Sequence, residues 1–383
     1  FDENKAEQQL EDLLISSVRY HLHSNKPIGA FLSGGIDSSL ITALAQHLSP
    51  DPIYTFSIGF ANSQKNELSY AKVVAAHLQT NHHEFTMTGK DVLDLIPEIA
   101  NVYDEPFPDD SALPSMLVSK LAREKVETAL VGDGGDELFM GYGAYNWAER
   151  LNNPFIKALH KPLSLAMSLG NQRLQKASWL FNYPSTRHLP SHIFSQEQYF
   201  FSRNEVLLHF PFTFEKESSM QEWYALPNRK ISPSENQTLF DFHYCLPDMV
   251  VVKMERASKH YSLETCVPIL DYRIVEFAHN IEKSLRINNG EQKYLLKKIL
   301  YKYIPQEIFN RPKWGFSMPL HSWMRQDLKD FIFDNLHSSK LTSLLKKPIS
   351  KNSFYISWEK GNDLHYNKMW QLAMLNLWLD RNL

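Results

Sequence analysis

Ile28-Gly29-Ala30-Phe31-Leu32-Ser33-Gly34-Gly35-Ile36-Asp37-Ser38-Ser39 is the stretch on which the fold turns. Its first five residues form an apolar run of strand length, and residues 37–47 have the polar start and apolar repeat of a helix. Two glycines lie between them, so the stretch reads as strand, tight turn and helix. Working outward, the same grammar recurs. Strands are expected over 53–58, 83–87 and 128–131, and helices over 67–78, 92–102 and 113–123. Upstream, Leu10, Leu13, Leu14 and Val18 fall at helical spacing on an otherwise polar segment. Strands alternating with helices predict an α/β fold built on a doubly wound parallel sheet covered on both faces.

Beyond Gly143 the alternation stops. The text becomes aromatic and helical or irregular, interrupted by Pro154, Pro162, Pro184, Pro190 and Pro211. Two regions are therefore expected: the sheet core over 1–145, and a mostly helical C-terminal region over 146–383. Trp370, Leu372, Met374, Leu375, Leu377 and Trp378 are expected to form a closing core helix.

Composition narrows the partners. The 383 residues are 43% hydrophobic, enough for one large or two ordinary cores, and 40 Lys plus Arg against 43 Asp plus Glu leave a net charge of −3. Without a basic excess, nucleic acid is not an expected partner. Apolar runs are of strand length, so no membrane partner is expected either. The only cysteines, Cys245 and Cys266, form neither a disulfide framework nor a CxxC pair, which suits a reducing cytoplasm. His82 and His83 open a strand and lack metal-ligand spacing. Phe1 is neither a start methionine nor part of a signal peptide, so the chain is expected to be a piece of something longer.

The chemistry starts at Ser33 to Ser39, where a strand end meets a helix start. Two glycines allow close backbone approach, and the unpaired N–H groups of a helix N-terminus, with three hydroxyls, suit a phosphate. No Gly-Lys-Ser/Thr follows, so this is not a Walker A loop. Gly132-Asp133-Gly134-Gly135-Asp136-Glu137 follows the fourth expected strand directly and brings three carboxylates to the same sheet edge. Acids beside a phosphate loop imply a divalent cation. Magnesium takes oxygen ligands, with Asp37 and Asp136 as the natural pair, while Glu137 also suits helix capping.

With both loops in hand, the sequence resembles the synthetase domain of glutamine-dependent asparagine synthetases, part of the PP-loop, or N-type ATP pyrophosphatase, family with its adenine nucleotide alpha hydrolase-like fold. The resemblance spans nearly the whole chain. It takes in Tyr103-Asp104-Glu105-Pro106 with residues 109–114, Lys253-Met254-Glu255-Arg256-Ala257-Ser258, and Glu264 with Val267-Pro268-Ile269-Leu270-Asp271. Residues 293–298 and Arg311-Pro312-Lys313-Trp314-Gly315-Phe316 complete it.

What the resemblance implies is adenylation of a carboxylate by ATP with Mg2+, then amidation by ammonia. Ser33, Gly34, Gly35, Ser38 and Ser39 would hold the pyrophosphate portion, and Asp37 and Asp136 its magnesium. Leu32, Ile58, Val131 and Gly132 would line the nucleotide pocket. Lys313 would be the lysine that closes over the nucleotide, with Lys253 and Arg256 contacting phosphate or substrate carboxylate and Asp133 supporting adenylate formation or amine attack. An N-terminal glutaminase domain would supply ammonia in the full-length protein; it is absent from this chain, so free ammonia is the expected nucleophile here. The oligomeric state stays open, a homodimer included.

Two positions depart from the family: Asp133 where Glu is usual, and Cys266 where Arg is usual. Neither touches the ATP half of the reaction. Both bear on the acceptor: the resemblance favours aspartate as the carboxylate, and the two departures open another acid, such as a sugar acid of surface-polysaccharide assembly, as the alternative. A lactam-forming relative would need a Tyr–Glu pair that the sequence does not place, and a tRNA-directed PP-loop protein lacks support without CxxC or a basic patch.

Overall fold

The apolar runs pair in parallel. Strand β1 (Ile28–Phe31) lies between β2 (Tyr54–Phe60) and β4 (Thr128–Leu130), with β3 (Asn81–Met87) outside β2 and β5 (Glu264–Cys266) outside β4. The register sets Ala30 against Thr55 on one side and Leu130 on the other. Strands buried on both faces read as continuous apolar segments, which is why 28–32 and 128–131 were legible. This computed structural model describes residues 2–22, 27–61, 67–212, 230–311 and 318–383.

Helices α1 (Glu3–His21), α2 (Ile36–Leu48), α3 (Leu68–Leu78), α4 (Gly89–Val102), α5 (Ala112–Arg123) and the short α6 (Gly135–Leu138) accompany the sheet. On α1, Leu10, Leu14 and Val18 are buried, the core stripe that their spacing predicts. From β1 the chain runs outward through β2 to β3, then returns to the opposite side of β1 as β4. That reversal is the switch point of a doubly wound sheet, and it opens a crevice beyond the carboxyl ends of β1 and β4.

The chain divides into two units. The sheet unit takes Phe1–Tyr103, Asp109–Gly141 and Tyr244–Leu320; the second takes Asp104–Pro108, Tyr142–His243 and His321–Leu383. This differs from the expected division into 1–145 and 146–383, because the chain returns to the sheet after residue 243 to supply its edge strand. β5 pairs Cys266 with Leu130, and Val131 donates its N–H to the Cys266 carbonyl at 2.9 Å.

In the second unit, α7 (Gly143–Leu151), α8 (Pro154–Ser168) and α9 (Gln172–Phe181) surround a core that includes Ala148, Leu151, Leu180, Phe181 and Ile193. The closing helix Tyr366–Asn382 buries Trp370, Leu372 and Met374; Leu375, Leu377 and Trp378 are only partly buried. The Trp378 indole donates to the Asp104 carbonyl at 3.0 Å.

Asp241 is buried in this unit, accepts from Gln237 Nε2 at 3.0 Å, and has its carboxyl pushed up by burial to about 7. A folded pKa above the unfolded one means that the protonated form's stabilisation is complete below the ordinary carboxylate range and is lost as pH rises through the folded value. Asp241→Asn, neutral at every pH, should therefore flatten the fall in stability between about pH 4 and about pH 8, a difference of a few kcal/mol at most. Thermal unfolding of both proteins across that range checks it.

Candidate functional site

Both glycine-rich loops lie at the switch point. Gly35 caps α2 without a side-chain hydrogen bond, which leaves the first turn's N–H groups unclaimed by a capping side chain. Gly34 has φ +75°, and a Cβ there would stand 2.8 Å from the Ala71 nitrogen, so glycine is required. Serine hydroxyls shape the turn: Ser33 Oγ and Ser38 Oγ are 2.9 Å apart, and Gly35 N–H donates to Ser33 Oγ at 3.2 Å. Arg311 fixes it from outside, donating through Nη2 to the Gly34 carbonyl at 2.9 Å with its guanidinium 3.8 Å from the centre of the Tyr70 ring.

The second loop packs directly on the first. A Cβ on Gly132 would lie 2.7 Å from the Ser38 nitrogen, backbone against backbone. Gly135 lies against the Asp37 carboxylate, and Gly141 against Asp136 and Lys293. Absent side chains at these positions are what allow two loops, about a hundred residues apart, to share one crevice.

Lys293 occupies the centre. It is 4% exposed, and its Nζ is ion-paired to both Asp37 and Asp136, the latter at 2.7 Å. Burial opposes its charge, but Asp136 and Asp37 outweigh that cost and hold its pKa well above the ordinary lysine value. A second cation lies nearby in sequence terms to neither loop: Lys253, on the helix Val252–His260, donates to Ser111 Oγ at 2.8 Å and pairs with Asp109 at 3.3 Å. Burial again opposes the ammonium, and Asp109 and Asp133 raise its pKa above the usual value. In return Asp109 stays ionised below the ordinary carboxylate range despite burial, through Lys253 and Ser111. Its neighbour Asp110 is pushed up to about 7 by burial and by Asp109.

Asp133 is raised to about 6, chiefly by burial, with Lys253 opposing and Asp37 and Asp136 adding. Its Oδ2 is buried without a hydrogen-bond partner among the described residues, as is Ser39 Oγ. Buried polar atoms left open in a crevice suit a polar ligand.

Asp37 and Asp136 therefore converge on one cation, the donor set that magnesium uses when its remaining ligands are phosphate oxygens and water. No group of three or more His, Cys, Asp and Glu among the described residues could hold a metal by itself. Two carboxylates brought together in this way are oxygen donors of the kind that magnesium accepts.

The other expected residues fall as follows. Leu32 and Val131 are buried just past the ends of β1 and β4, Ile58 is buried within β2, and Ser57 Oγ donates to the Leu32 carbonyl. Arg256 is exposed on its helix. Lys313 lies outside the described residues. Cys266 is half-buried on β5, its thiol pushed up to about 11 by burial and Glu264, so it stays protonated. Sequence alone assigns no role to Lys293 or Arg311. Neither carries a local signal, and Lys293 is 256 positions from Asp37.

The asparagine synthase family model matches residues 9–380. The glutamine-hydrolyzing asparagine synthetase 1 of Bacillus subtilis is 28% identical over 349 residues, covering 90% of this chain and 55% of the relative. That of Gallus gallus is 26% identical over 377 residues, 93% of this chain and 52% of the relative. Asparagine synthetase B of Escherichia coli is 31% identical over 182 residues, 43% of this chain and 32% of the relative. The chain spans about half the length of the first two. A family match over residues 9–380, nearly its whole length, places this chain in the asparagine synthase family.

Proposed function

We propose that this chain is an ATP-dependent amide synthetase that adenylates a carboxylate and transfers the acyl group to ammonia, with aspartate the favoured acid and asparagine, AMP and pyrophosphate the products. The observation that carries this reading is the packing of Gly132 on Ser38 with Lys293 between Asp37 and Asp136. A phosphate-binding helix N-terminus and a two-carboxylate, one-lysine cluster then face one crevice.

The first step joins a carboxylate oxygen of the acid to the α-phosphorus of ATP and breaks the bond to the β-phosphate bridge, releasing pyrophosphate. The Ser33–Ser39 turn would hold that leaving group through N–H groups and hydroxyls. Magnesium, when bound by Asp37 and Asp136, would neutralise charge on the pyrophosphate. Lys293 and Lys253 stand as fixed cations where negative charge grows, the arrangement that lowers such a barrier most. In the second step ammonia attacks the acyl carbon, AMP leaves, and a proton is lost from nitrogen. Asp133, raised to about 6, is ionised near neutral pH and basic enough to take it. Lys313 is proposed to close over the nucleotide. In a longer polypeptide a glutaminase domain would supply the ammonia, as the relatives' names suggest.

Cys266 favours one further reading. A protonated thiol cannot pair with an acceptor carboxylate, so an acid other than aspartate, such as a sugar acid, is the second reading. Pyrophosphate release with Mg-ATP and ammonium, measured with aspartate, with no acid and with a panel of carboxylates, decides between them. Aspartate-dependent release with asparagine formed supports the first, and release with a different acid alone moves the substrate while keeping the chemistry.

A further inference from the structure

The α8–α9 hairpin has one apolar face too many. Ile156, Leu163 and Met167 turn inward onto the second unit's core, which satisfies α8 as a surface helix. Yet Phe155, Leu159, Leu165 and Leu169 are 80%, 52%, 68% and 84% exposed. They are not scattered. Phe155 and Leu159 are one turn apart, and Lys157, Lys161, Leu165 and Leu169 form a single i, i+4 ridge, with exposed Ala158, Pro162 and Ala166 filling the row between.

Charge singles out the same segment. Between Glu149 and Glu197 the chain has no Asp or Glu and six basic residues: Arg150, Lys157, Lys161, Arg173, Lys176 and Arg187. In a chain of net charge −3 this is a local reversal of sign.

We infer that this hairpin is a docking face for an anionic lipid surface. A helix lying in the interface presents aliphatic side chains to the acyl boundary and Lys or Arg to the headgroups, and the α8 face offers both along its length. A protruding aliphatic ridge has little to gain from a nucleic acid, whose contacts are to phosphates and base edges. No helix of the described residues is long and apolar enough to cross a membrane, and surface association needs none.

The test is sedimentation of the full chain with vesicles of phosphatidylglycerol and phosphatidylcholine, against vesicles of phosphatidylcholine alone. The expected result is partition onto the anionic vesicles only, weakened by salt. Two variants, Leu165→Glu with Leu169→Glu and Lys157→Glu with Lys161→Glu, should each lower partition on the order of tenfold. Their melting temperatures should stay near wild type, because the apolar pair is exposed. Absence of partition onto anionic vesicles, or partition unchanged by the leucine variant, overturns the inference. So does a dimer that the leucine variant dissolves without any vesicle binding, which would assign the face to a second copy, or RNA retention in place of lipid binding.

Discussion

Lys293→Met should abolish acid-dependent pyrophosphate release, by about a hundredfold to a thousandfold, and should also destabilise the sheet unit. Both effects come from one ammonium. The substitution takes away the ammonium that pairs with both Asp37 and Asp136, two largely buried carboxylates. Removing one partner of a buried ion pair costs about 3–5 kcal/mol. Stability and activity separate in a second variant. Adding Asp37→Asn to Lys293→Met removes one of the facing charges, so the melting temperature should recover part of its loss, while activity stays lost because Asp37 is itself a proposed magnesium ligand. If the double variant regained activity with stability, Lys293 would be structural only.

Gly132→Ala should be nearly as severe for activity and milder for stability. The added methyl would stand 2.7 Å from the Ser38 nitrogen and 3.0 Å from its Cα, and backbone cannot swing aside as a long side chain can. The two loops must part. Overpacking of this sort costs about 1–3 kcal/mol, but displacing a catalytic loop by about 1 Å costs about a hundredfold in rate. Gly290→Ala is the control. Gly290 has φ +84° with nothing within 4 Å of the added carbon, so it should suffer backbone strain alone and keep its activity. Steady-state rates of pyrophosphate release with thermal melts, run on all three proteins, check the contrast.

The contacts behind these effects differ in how far the sequence could reveal them. The three inner strands, β2, β1 and β4, were legible because buried parallel strands need apolar side chains on both faces, and the glycine-rich turns because a strand, glycines and a polar helix start leave few alternatives. β5 was not. Glu264-Thr265-Cys266 is three residues with no alternation and no apolar run, and it joins the sheet only because β4 offers it an edge. The same return of the chain moved residues 244–320 into the sheet unit, which no local pattern announces.

Of the site, the phosphate turn and the acidic loop were read as pieces, and their meeting followed from both standing at strand ends. The cation between them was hidden. Lys293 takes φ +55°, a left-handed conformation that in a lysine has no sequence signature, and its partners are set by tertiary packing alone. The clamp of Asp109 and Ser111 on Lys253 is hidden for the same reason, across more than a hundred positions. Long-range ion pairs of this kind are where sequence reading stops and geometry begins.

We propose that the crevice splits ATP between its α- and β-phosphates in order to activate an acid. The most direct measurement is the inventory of nucleotide products when this chain turns over Mg-ATP, ammonium and its acid. AMP and pyrophosphate in equal amounts, formed only when the acid is present and lost in Lys293→Met, are the predicted result; ADP and inorganic phosphate would contradict it.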